Sequence, residues 1–206
     1  MQFRMLLALH SPVLLTTVPP RLDGLLHEAA CRLAGRWDVE HELPLSFDDE
    51  VQGYRASQII FVSTPEAPAA AAKIPTVSSF DQLERHLVSD PLKRIDEAGG
   101  RFLTRLNKYP GYLSPYLVFY GDGDPESCAE LIELLDGIGR GHTRGAGSFT
   151  VVSVEPDDTA GWQRRSWPGD IDRDLPFDPI ASQERLTPCG EVVSVLRPGR
   201  VQREVA

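Results

Sequence analysis

Residues 112–154 read YLSPYLVFYGDGDPESCAELIELLDGIGRGHTRGAGSFTVVSV, and this stretch decides the fold. Tyr112 to Tyr120 is rich in aromatic and β-branched residues, which predicts a strand. Asp124 followed by Pro125 is a helix start, an acceptor for free amides and then a residue that needs no donor. Cys128, Leu131, Ile132 and Leu135 draw a single apolar stripe at helical spacing. Glu126, Glu130 and Glu133 face away, and the early acids suit the positive end of the helix dipole. A glycine-rich loop, Gly137 to Gly147, follows, and Ser148 to Val154 predicts another strand.

Working outward, Phe3 to Leu9 predicts a buried strand and Arg21 to Ala34 a helix. Leu22, Leu25, Leu26, Ala29, Ala30 and Leu33 form the helix's apolar stripe, and Gly35 is its stop. Asp38 to Phe47 reads as polar and extended, ending in the acidic tip Asp48-Asp49-Glu50. Tyr54 to Ser63 reads as a strand with which it could form a hairpin. Pro65 to Ala72 reads as a linker. Phe80 to Ile95 has helical periodicity through Leu83, Leu87 and Leu92, broken at Pro91. Arg101 to Gly111 reads as a basic loop interleaved with Phe102, Leu103, Leu106 and Tyr109. The order predicts an α+β fold of the ferredoxin-like, RRM-like type (βαββαβ), an antiparallel sheet with two helices on one face. RRM domains read RNA on the open sheet face. The expected organisation is one domain over residues 1–154, with an insert at about 64–111, and a C-terminal arm over 155–206. That arm is rich in Pro and Asp, carries Trp162 and Trp167 and a last short strand at Glu191 to Leu196, and packs on the core or on a neighbouring subunit.

With 206 residues the chain can bury a core without staples. Cys31, Cys128 and Cys189 form no C-x-x-C pair and no zinc pattern, so buried free thiols in a reducing cytoplasm are expected. The apolar run from Met1 to Leu15 is interrupted by His10, Ser11 and Pro12 and lacks a small-residue cleavage site, which favours a first strand over a signal peptide. No apolar stretch approaches the roughly 20 residues of a membrane span, so no membrane partner is expected. Three adjacent carboxylates at Asp48 to Glu50 do not converge on one ion, so neither metal nor cofactor is expected.

The net charge of −9 runs against binding a polyanion, yet it hides a local pattern. Asp122 to Asp136 holds six acids and no base. Gly137 to Gly147 holds Arg140, His142 and Arg144 and no acid. Lys93, Arg94, Arg101, Arg105 and Lys108 stand against only Asp96 and Glu97. If both basic stretches project from one end of the sheet, they form a groove for phosphates.

The loop follows a helix and opens a strand, which excludes the dinucleotide fingerprint, and it lacks the Gly-Lys-Ser/Thr ending of a P-loop. Gly137, Gly139, Gly141, Gly145 and Gly147 permit positive φ, so amides could converge on an anion while Arg140 and Arg144 add forked donors. The same glycines also suit a plain connector. His10, His27 and His142 leave a second possibility, metal-independent RNA cleavage with a histidine as acid or base, although no spacing ties them together.

Leu22-Asp23-Gly24-Leu25-Leu26, the strand followed by Gly121-Asp122-Gly123-Asp124, and IGRGHTRGAG at 138–147 together resemble the RAMP superfamily of CRISPR-associated proteins. Within it the chain is most similar to the small subunit of type IV effector complexes, which binds the 5′ handle of guide RNA and caps the backbone. The resemblance covers roughly Met1 to Val154. It implies a non-catalytic subunit in plasmid and antiviral interference, with crRNA, a repeating backbone subunit and a large subunit as partners, and target DNA met through the complex. It further implies that Gly137, Gly139, Arg140, Gly141, His142, Thr143, Arg144, Gly145 and Gly147 touch RNA or order the sheet edge near it. The insert carrying Lys93, Arg94, Arg101, Arg105 and Lys108 would be a thumb-like projection.

Overall fold

The computed structural model describes residues 1–15, 19–37, 42–50, 52–78, 105–165, 184–186 and 192–194. The first predicted strand is β1 (Gln2–Leu9), followed by the short β2 (Val13–Leu14). Helix α1 spans Leu22–Ala34. Then come β3 (Phe47–Asp48), β4 (Gly53–Tyr54), β5 (Ile60–Ser63), β6 (Ala70–Ser78), β7 (Arg105–Leu113) and β8 (Tyr116–Asp122). Helix α2 (Pro125–Ile132) precedes β9 (Phe149–Pro156), β10 (Glu184–Leu186) and β11 (Val192–Ser194). The main sheet runs β11-β10-β5-β8-β1-β9, and only the β10–β5 pair is parallel. Among the described residues the protein is therefore α+β, mostly antiparallel with two α-helices, a layout compatible with the ferredoxin-like class.

Both faces are buried along β5, β8 and the middle of β1, which is why these strands read as apolar runs, while Thr150 and Val152 of the edge strand β9 are exposed. Phe3, Met5 and Leu7 of β1, Leu117 and Phe119 of β8, and Phe61 of β5 join Leu22, Leu25, Leu26 and Ala29 of α1 and Cys128 and Ile132 of α2 in one core. Burying each such phenylalanine contributes about 1.5–3 kcal/mol. The alternate positions Leu6, Ile60, Val62, Val118 and Tyr120 form a second cluster on the other face, packed with Tyr116 and Trp162.

Helix α1 ends as expected at Gly35, whose φ of 66° is left-handed, and the Arg36 N–H returns to the Cys31 carbonyl. One member of its predicted stripe is wrong. Leu33 is 71% exposed, because on the last turn Arg32 pairs with Asp136, four residues past α2, and Cys31 takes the inward position. Helix α2 starts as its sequence dictates. The Asp124 carboxylate accepts from the Glu126 amide and the Ser127 hydroxyl, and those bonds hold it below the usual carboxylate range.

The single strand expected over Tyr112 to Tyr120 is two strands. Pro115 offers no amide to a ladder, and the Ser114 hydroxyl lies 2.7 Å from the Val62 carbonyl and 2.8 Å from that of Tyr116, fixing the bend. β7 thus leaves the main sheet and pairs with β6, from Ala70↔Leu113 to Ser78↔Arg105, while β2 joins its base through Leu14↔Gly111. The linker expected at Pro65 to Ala72 and the loop expected at Arg101 to Gly111 are corrected accordingly, since 70–78 and 105–113 are paired strands. An alanine run, Pro75 and Pro110 carry no strand signal, and the pairing comes from the distant partner strand. The Tyr54 to Ser63 strand likewise splits into β4 and β5, and the expected hairpin is reduced to Phe47↔Tyr54 and Asp48↔Gly53. The helix expected within Phe80 to Ile95, the residues Lys93, Arg94 and Arg101, and Trp167 and Cys189 lie outside the described residues.

The C-terminal segment crosses the second face of the sheet. At Gly161 a side chain would collide with the Tyr120 ring, so the backbone lies directly on that ring. Arg164 sits 5.1 Å from the Tyr120 ring centroid, and Arg55 sits 5.1 Å from that of Trp162. Arg165 points into the protein and donates to Asp23 Oδ2 at 2.9 Å and to the carbonyls of Tyr54 and Ala56 at 3.1 and 3.2 Å. Burial lowers its pKa, and the Asp23 carboxylate opposes that shift. The expected last strand is present as β11. The second face, which an RRM leaves open, is covered among the described residues around Ile60, Val118 and Tyr120. Among the described residues no helix is long and apolar enough to cross a membrane.

Candidate nucleic-acid interface

The glycine-rich loop leaves α2 with Leu135 and Ile138 buried, then closes on itself and on the β1–β2 connection. Ile138 N–H donates to the Gly147 carbonyl and Gly147 N–H to that of Pro12. Arg140 N–H donates to the Leu14 carbonyl at 2.7 Å, while those of Arg144, Gly145 and Ala146 donate within the loop. Ser11 Oγ caps the arrangement, donating to the Gly145 carbonyl and accepting from the Ser148 amide. These six backbone donors are engaged by carbonyls, so they do not converge on an anion. Gly147 is required here. Its φ is 65°, and a Cβ would strike the Ile138 carbonyl oxygen.

What the loop presents outward is side chains. Arg140, Thr143 and Arg144 are exposed, with Thr143 and Arg144 in a single 3-10 turn, His142–Arg144. His142 instead turns toward α1. Its Nδ1 lies 3.1 Å from the Gly139 carbonyl and its Nε2 lies 2.9 Å from the Arg32 guanidinium. A carbonyl only accepts and a guanidinium only donates, a geometry that fits the tautomer with its proton on Nδ1. Burial works against the Arg32 charge, but Asp136 and Glu28, each 2.9 Å away, outweigh it and raise its pKa.

On the other side, the Arg140 guanidinium lies 4.5 Å from the centroid of the Tyr109 ring. Tyr109 belongs to β7, the strand whose backbone also carries Arg105 and Lys108. The glycine-rich loop and β7, more than twenty residues apart in sequence at their nearest, therefore meet at one end of the sheet. Sequence reading noted Tyr109 only as one aromatic among several. Its pairing with Arg140 follows from the register that puts Leu14 opposite Gly111, which no local pattern announces. An open cleft of about 310 Å³ lies at the same end, lined by residues including His10, Ser11, Pro12, Pro68, Ser114 and Pro115. The remaining histidines have structural neighbours. His10 Nε2 is 3.2 Å from the Thr150 hydroxyl, and His27 lies beside the buried Cys31. No cluster of three or more potential metal ligands exists among the described residues.

The charge is sorted along the strands. At the start of β1 the chain gathers acids. The Met1 amino group is 3.3 Å from Asp122, Arg55 bridges Asp122 and Asp48, Arg4 pairs with Glu155, and Asp157 N–H donates to the Gln2 carbonyl. At the end of β1 lie the arginine-bearing loop, β2 and the β6–β7 hairpin. Comparison of the sequence with protein-family models and with curated proteins found no match.

Proposed function

We propose that this chain is a non-catalytic guide-RNA-binding subunit of a type IV CRISPR ribonucleoprotein, holding the 5′ handle of crRNA and capping the backbone filament. Its partners would be crRNA, the backbone subunit and the large subunit, with target DNA met through the complex. The observation that carries this reading is the contact of Arg140 with Tyr109, which joins the glycine-rich loop to the basic strand of the insert. Exposed arginines beside an aromatic ring, at the end of the sheet opposite Asp48, Asp122 and Glu155, suit a single-stranded polyanion. The strand order β9-β1-β8-β5, with a helix after β1 and another after β8, supports the finer ferredoxin-like assignment that RAMP proteins share. With Trp162 on the second sheet face, RNA would be met by the loop and hairpin rather than by the sheet.

The test is anisotropy with a repeat-derived RNA bearing the 5′ handle, titrated across salt concentrations. The double variant Arg140→Ala, Arg144→Ala should weaken binding at least about tenfold. It should also lower the slope of log affinity against log salt by about 1.4, or about 0.7 for each phosphate of a single strand that is no longer neutralised. Circular dichroism should be unchanged, since both side chains are exposed. Equal affinity and equal slope for wild type and variant would refute the assignment of this loop to RNA.

A further inference from the structure

Arg140 differs from the other well-fixed arginines. Arg32, Arg55 and Arg165 are each held by a carboxylate. Among the described residues no carboxylate lies within ion-pair distance of Arg140, and its guanidinium rests instead on the Tyr109 ring. The side chain is exposed while Tyr109 is half-buried, so the guanidinium is the outer layer of the pair. Both layers are anchored by backbone. The Arg140 amide is bonded to the Leu14 carbonyl, and Leu14 pairs with Gly111, two residues along β7 from Tyr109. The cation is thus anchored through its backbone, without a carboxylate partner among the described residues, and centred over an aromatic ring.

A phosphate alone needs a charge at this place, not a plane. A plane of charge backed by a ring suits a ligand that has both a flat π system and an anion, which is what an unpaired nucleotide offers. We propose that Arg140, backed by Tyr109, is a stacking platform for one unpaired base of a single-stranded RNA. The base lies on the outer face of the guanidinium while the N–H edge of that group meets the adjoining phosphate. This inference rests on the RNA-binding reading and deepens it, because it assigns Tyr109 a role and separates recognition of a base from recognition of charge.

The experiment uses the full chain and a short single-stranded RNA in which 2-aminopurine is placed at each position in turn. The same strand annealed to its complement serves as the second ligand. Arg140→Lys keeps the charge and loses the plane. It should bind about tenfold more weakly than wild type, as loss of a base stack does, with an unchanged salt slope. One position should show 2-aminopurine quenching that the lysine variant loses. The duplex should bind less tightly than the single strand. Because Arg140 is exposed, its lysine variant does not threaten the fold.

If Arg140→Lys binds as wild type while Arg140→Ala binds more weakly, the side chain acts by charge alone and the platform is overturned with RNA binding intact. Duplex and single strand binding alike would overturn the platform in the same way, since a paired base has no free face. If the wild-type protein binds no single-stranded RNA, this inference and the proposed function fall together.

Discussion

Replacing Arg165 by Met tests what holds the C-terminal segment on the sheet. The side chain is 2% exposed and donates to the Asp23 carboxylate at 2.9 Å and to the carbonyls of Tyr54 and Ala56 at 3.1 and 3.2 Å. Removing one partner of a buried ion pair costs about 3–5 kcal/mol, because the other charge stays behind. Asp23 keeps Arg21 at 3.6 Å and the Gly24 amide at 2.9 Å, so part of its charge remains compensated and the lower end, about 3 kcal/mol, applies. With a urea slope of about 2 kcal/mol per molar, the unfolding midpoint should fall by about 1.5 M. Asp23→Asn also removes the pair, so the double variant should lose less than the sum of the single losses, with a coupling of at least about 1 kcal/mol. In a background of Trp37→Phe and Trp167→Phe, acrylamide quenching of Trp162 reports whether the segment lifts. A midpoint shift worth under about 0.5 kcal/mol, or strict additivity, would show that this pair does not anchor the segment.

Gly147→Ala should cost about 1–3 kcal/mol for its positive φ alone, more with the collision at the Ile138 carbonyl, and should lower the melting temperature by at least about 4 °C. The Cys128 thiol, pushed up to about 12 by burial and secondarily by the Asp124 charge, should resist Ellman's reagent at pH 8 until the protein unfolds. Because its folded pKa is raised, its contribution to stability is fully present below about 9 and is lost as pH climbs towards about 12, which urea titrations across that range can follow. Leu33→Glu should change stability by less than about 0.5 kcal/mol in the same titration, where a core leucine would cost about 2–5 kcal/mol.

The elements legible in the sequence were those whose signal is local. Asp124, Pro125 and the stripe of Cys128 and Ile132 specify α2 locally, and the N-cap is where they predict, although the helix ends at Ile132, before the expected stripe member Leu135. β1 was legible because Phe3, Met5 and Leu7 face one core and Leu6 faces another, leaving an apolar run. β6 and β7 were not, since Pro75 sits opposite Lys108 and Pro110 opposite Lys73, and each segment is a strand only by virtue of the other. Leu33 was misread because periodicity gives a direction but not where the neighbouring element ends. For the site, the arginines were legible as a cluster of charge and the loop's amides were not. Their engagement depends on Pro12 and Leu14, more than a hundred residues away.

The same distinction between local and summed quantities bears on the net charge of −9, the strongest objection to an RNA-binding reading. β1 has eight residues, so its ends are about 26 Å apart. At 0.15 M salt the Debye length is about 8 Å, so acids at the Gln2 end are some three screening lengths from a ligand at the Leu9 end. Many of them are also occupied: Asp122 by the amino terminus and Arg55, Asp48 by Arg55, and Glu155 by Arg4. Near the loop, Glu28 and Asp136 share Arg32, which leaves Arg140 and Arg144 as the charges that a ligand approaching the hairpin side would meet. An acidic total and a cationic end are therefore compatible in one molecule. The total governs solubility and self-repulsion, while the arrangement within one screening length governs what the loop can hold.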